Sequence, residues 1–148
     1  MTTFKELKAL LDRSIAWEEQ LNDLYDVAQL GLRNPDSRRL IDFLKERQDS
    51  NLEVLRNIEL KKFGPVEWVK YARDYRDEDM VPKRTINRDS KPEEIFTTIL
   101  EYEEKLKEFY QAIAENVVSD RQKDLFESLV TFKEGQISRI NNFIKAEM

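Results

Sequence analysis

Two short stretches decide how this chain reads: "EEQLNDLY" at residues 18–25 and "EEKLKEFY" at residues 103–110, which lie 85 positions apart. The same offset continues without a gap, setting Leu40 over Leu125, Leu44 over Leu129, Leu52 over Ile137, Leu55 over Ile140 and Ile58 over Phe143. Helical amphipathicity alone produces some agreement of this kind. It does not produce an identical Glu-Glu-x-Leu, a Tyr at the same place in both copies, and hydrophobic steps that keep register across a turn. The 148 residues therefore read as one helical hairpin present twice.

Local signals divide each copy. Leu7, Leu10, Leu11, Ile15, Leu21, Leu24 and Ala28 recur at helical spacing and predict a first helix from Phe4 to Leu30, with Thr3 and Glu6 as a capping box and Gly31 near its end. In "RNPDSRR" Asn34 can cap a second helix, Pro35 suits its first position and Asp36 its positive end. Ser90, Pro92 and Glu93 predict the opening of a third helix, and Ser119 with Asp120 that of a fourth. Short links within each pair make both pairs antiparallel hairpins. One domain follows, with a first hairpin over 1–62, a crossover over 63–91 and a second hairpin over 92–148. A short helix is predicted in the crossover at "PVEWVKYARDY" (65–75), where Trp68, Tyr71 and Tyr75 would share a face that caps the open side of the bundle. Phe4, Trp17, Tyr102, Phe109, Phe132 and Phe143 read as core.

Composition agrees and excludes much else. With 37% charged and 40% hydrophobic residues but only three Gly and four Pro, the chain suits an all-α domain. A formal charge of −5 argues against a nucleic-acid surface. Residues 61–92 carry nine Lys or Arg against six acids, a local +3 that could steer an acidic partner, although charges so mixed read first as ordinary surface. There is no cysteine, hence no disulfide, zinc ribbon or thiol nucleophile, and no histidine, hence no imidazole base or ligand. The N-terminal "MTTFKELKALLDRS" lacks the apolar core of a signal peptide and no segment is long enough to span a bilayer, so the expected location is the cytoplasm, away from membranes.

A duplicated hairpin with a crossover is the plan of the di-iron carboxylate bundles, which take a Glu from each of two helices and a Glu-x-x-His from each of the others. The chain resembles the rubrerythrin-like branch of the ferritin-like superfamily over nearly its whole length. Glu18 before Tyr25 and Glu103 before Tyr110 match the family's first-helix pattern in both halves. Leu55 and Ile140 set "QDSN" (48–51) and "KEGQ" (133–136) over the two ligand motifs. The resemblance implies a ferritin-like four-helix bundle. It also implies that the bridging carboxylates are replaced by Gln48 and Lys133, and the histidines by Asn51 and Gln136.

An amide is a poor iron ligand and a protonated lysine has no lone pair to give. The expected reading is therefore a degenerate site without metal, in which the Lys133 ammonium pairs with Glu18 and Glu103. Gln48, Asn51 and Gln136 would complete a polar network, and Tyr25 and Tyr110 would donate to the carboxylates. Such a protein would be a non-catalytic scaffold, interaction or regulatory module with no cofactor and an unidentified protein partner; a homodimer is expected by analogy. The alternative is an iron- or manganese-dependent oxidoreductase of the peroxide-reducing kind. Its atypical shell would draw on Glu18, Glu103, Glu19, Glu104, Glu46 or Glu134. A third possibility is a small-molecule pocket where the metals once lay.

Overall fold

The computed structural model describes residues 3–64, 68–71, 76–80, 82 and 85–148. Among the described residues it is all-helical apart from one short ribbon. The long helices are α1 (Leu7–Gly31), α2 (Pro35–Arg56), α4 (Pro92–Asn116) and α5 (Asp120–Glu147), with α3 (Asp77–Met80) a single turn in the crossover. A 3-10 turn at Leu60–Lys62 follows α2. Both bounds of α1 reappear in α4 after 85 residues, and the starts of α2 and α5 differ by the same 85.

Two helix starts form as their residues dictate. Asn34 accepts hydrogen bonds from the backbone N–H of Asp36 and Ser37 ahead of Pro35, and Ser119 accepts one from the N–H of Gln122. The Ser119 hydroxyl also donates to the Phe63 carbonyl at 2.7 Å, which pins the start of the crossover to the start of α5. Gly64, at φ +143°, makes this approach possible, because a Cβ there would lie 2.6 Å from Ser119 Oγ.

Two others differ from the sequence expectation. Residues Thr3–Glu6 do not open α1 but form a strand, β1, paired antiparallel with β2 (Trp68–Tyr71) in the register Phe4 to Lys70 and Glu6 to Trp68. The predicted crossover helix is accordingly a strand over 68–71, and its remainder, Tyr75 included, lies outside the described residues. "WVKY" is rich in β-branched and aromatic residues, and a partner strand distant in sequence overrides the helical spacing. The capping box at Ser90 and Glu93 does not form either. Lys91 caps α4 without a side-chain bond, while Ser90 Oγ accepts from the Asn87 N–H in a turn that competes for it.

All four long helices feed one hydrophobic core, with Leu21, Leu44, Ile99, Leu106 and Ile140 fully buried. Trp17, Tyr102 and Phe109 are buried as read, with Trp17 edge-on to Phe109 at 4.9 Å. Trp17 Nε1 donates to Asp77 at 2.9 Å and so ties α3 to α1. Phe143 is partly buried against Phe96, whereas Phe132 is only half-buried and turns toward Arg47. Helix α1 packs on α2 and on α4, and α4 packs on α5, while α2 and α5 stand further apart and leave a groove between them. Among the described residues no helix is long and apolar enough to cross a membrane.

Candidate functional site

The buried polar residues of the interior lie on the four long helices and include Glu18 on α1, Gln48 on α2, Glu103 on α4, and Lys133 and Gln136 on α5, each 0% exposed. Helical spacing brings them inward. Glu18 stands one turn from Leu21 and two from Tyr25, and Lys133 one turn from Leu129, so each shares the core stripe of its helix.

Lys133 Nζ is the centre of the cluster. It donates to Glu18 Oε1 at 2.5 Å, to Glu103 Oε1 at 3.4 Å and to Gln48 Oε1 at 3.4 Å. Gln48 Nε2 donates in turn to Glu18 Oε1 at 3.0 Å. The tyrosines serve the carboxylate of the opposite half: Tyr110 donates to Glu18 Oε2 at 2.7 Å and Tyr25 to Glu103 Oε1 at 3.4 Å. Gln136 Nε2 reaches Tyr25 at 3.5 Å and the Leu44 carbonyl at 3.1 Å.

The two carboxylates are served unequally. Both oxygens of Glu18 are engaged, whereas Glu103 Oε2 is buried without a partner and the contacts to Oε1 are long. One ammonium can compensate one carboxylate. Burial, then the charge of Glu18, push the Glu103 carboxyl up to about 7, against the opposing pull of Lys133. Burial on its own would lower Lys133, but the charges of Glu103 and Glu18 outweigh it and leave the ammonium above its ordinary value. Burial likewise raises both phenols, Tyr25 and Tyr110, well above theirs, which keeps them neutral donors.

Asn51 stands apart from this network. It is 9% exposed, its Nδ2 has no hydrogen-bond partner, and it lines the groove between α2 and α5. Arg47 takes a part that sequence reasoning missed, donating from Nε to Gln136 Oε1 at 3.3 Å. The signal was indirect: a buried glutamine needs a donor for its carbonyl as well as acceptors for its amide.

This donor set does not fit a di-iron centre. A protonated amine stands against the two carboxylates that would remain as ligands, and the groups facing it are a glutamine amide and two neutral phenols. Glu19, Glu104, Glu46 and Glu134 are exposed, with Glu19 paired to Arg56. Among the described residues no three His, Cys, Asp or Glu side chains group to hold a metal ion. No protein-family model, curated protein or solved structure matches the chain.

Proposed function

We propose that the chain is a ferritin-like four-helix bundle of the rubrerythrin type, built from a duplicated hairpin, in which a lysine has taken the position of the di-iron centre. It acts as a cytoplasmic, non-catalytic scaffold, interaction or regulatory module. The observation that carries this reading is the Lys133 ammonium, fully buried between Glu18 and Glu103. The coincidence of helix bounds after 85 residues supports the duplication. The chemistry supports the substitution, because two carboxylates held in a low-dielectric interior need a positive charge, and an ammonium supplies one where a metal otherwise would.

Anaerobic loading with ferrous iron, followed by measurement of bound metal, tests the reading. The wild-type chain is expected to retain no stoichiometric iron, and about two irons per chain would overturn the proposal. The combined variant Gln48→Glu, Asn51→His, Lys133→Glu and Gln136→His rebuilds the ligand motifs and is expected to bind about two. Its failure to bind while still folded would overturn the alignment of these four positions with the family motifs.

A further inference from the structure

Four side chains alternate where the groove between α2 and α5, lined by Phe43, Arg47 and Phe132, meets the adjoining groove lined by Phe43 and Arg139. The Arg47 guanidinium lies 5.3 Å from the Phe132 ring and 5.7 Å from the Phe43 ring, and that of Arg139 lies 5.0 Å from the Phe43 ring. Both cations close on one point, since a Cβ at Gly135 would stand 3.4 Å from Arg139 Nη1 and 3.9 Å from Arg47 Nη2. Gly135 lies in the interior of α5 with no positive φ, so its backbone does not call for glycine. The absent side chain leaves room for the two guanidinium groups instead.

Two like charges that converge repel at short range unless an anion joins them. Among the described residues neither Arg47 nor Arg139 is within ion-pair distance of a carboxylate. Their polar contacts are to neutral oxygens, Arg47 Nε to Gln136 and Arg139 Nη1 to the Gly135 carbonyl at 3.4 Å. Stacking on rings leaves the N–H edges of a guanidinium free, and those edges match a carboxylate in a two-bond fork.

The groove has a volume of about 460 Å³, within the range of small-molecule sites. Phe43, Phe132 and Val54 give it apolar wall, and the exposed Glu46 also lines it. Asn51 contributes the buried, unpartnered Nδ2, a donor that calls for an acceptor on whatever fills the groove.

We propose that this groove binds a compact organic acid. The carboxylate is held by Arg47 and Arg139 above Gly135, the apolar body lies along Phe43, Phe132 and Val54, and an oxygen within that body accepts from Asn51. The site adjoins the buried Lys133 cluster, since Arg47 bonds Gln136 and Lys133 Nζ lies 5.5 Å from the Phe132 ring, but it does not depend on how that cluster arose.

Titration of the full-length, isotope-labelled protein at low ionic strength, followed by amide NMR, tests it with three probes: 3-benzoylpropionate, its neutral primary amide, and inorganic phosphate. The acid is expected to give saturable shifts confined to residues 43–54 and 132–139, and the amide and phosphate to bind about tenfold more weakly or less. Arg139 is exposed, so Arg139→Gln leaves the fold intact and is expected to cut affinity for the acid by about tenfold. Gly135→Leu fills the space between the cations and is expected to do the same. Absence of saturation at a few millimolar acid, equal binding of the amide or of phosphate, or unchanged affinity in both variants would overturn the proposal.

Discussion

At the scale of single residues, Lys133 and the carboxylates around it set the electrostatics of the interior. Removing one partner of a buried ion pair leaves the other charge uncompensated, at a cost of about 3–5 kcal/mol. Lys133→Met is expected to lower stability by about that amount in a denaturant titration, and an unchanged midpoint would count against the ion pair. In a Glu18→Gln background the same substitution is expected to cost clearly less, because the nearer of its two carboxylates is already gone and Glu103 takes up a proton more readily. Glu103 makes a second prediction. Folding raises its carboxyl from the ordinary 4.5 to about 7, so the folded chain holds a proton that the unfolded chain has released. The stability this contributes is complete below about pH 4.5 and is lost as pH rises through about 7, a change on the order of 3 kcal/mol. Glu103→Gln is expected to flatten that decline, which equilibrium unfolding at pH 5 and pH 8 would measure.

At the scale of elements, two glycines at helical φ invite the same substitution with opposite results. A Cβ at Gly31, the last residue of α1, would lie 2.8 Å from the Arg88 carbonyl oxygen, so Gly31→Ala must displace backbone and is expected to destabilise by about 1–3 kcal/mol. A Cβ at Gly135 meets only side-chain nitrogen at 3.4 Å, so Gly135→Ala is expected to stabilise the apo protein by about 0.5–1 kcal/mol through helix propensity. Thermal midpoints of the two variants check both signs. The sequence reads Gly31 as a sign that α1 is ending, and α1 does end there. Close backbone approach is a tertiary fact that no local pattern carries. The same limit explains the ribbon, in which Thr3–Glu6 finds a partner more than sixty residues away. It also explains Ser90, whose hydroxyl is taken by Asn87 before it can cap α4.

At the scale of the molecule, the long helices were legible because a hydrophobic period and a repeated offset report on the same core. Within the candidate site, Glu18, Glu103, Gln48, Lys133 and Gln136 are singled out by the repeat offset together with the register that the resemblance implies, and all five are buried because they share a stripe with Leu21, Leu44 and Leu129. Asn51 escaped the same logic because α2 and α5 stand further apart than the other packed helices, so a side chain that would meet the network in a tighter packing opens onto the groove. That spacing also leaves Arg47 and Phe132 half-buried, where a tighter bundle would cover them.

The matching starts of α2 and α5 carry a further consequence for the whole chain. Gln48 and Lys133 sit at the same step of their helices, and both bond Glu18 Oε1. The interior then needs a cation, and position 48 on α2 also reaches the Glu18 carboxylate that Lys133 serves. Lys133→Gln alone strands the carboxylates, whereas Lys133→Gln combined with Gln48→Lys is expected to recover most of the lost stability. The core would be interchangeable between its halves, and one lysine would suffice from either side.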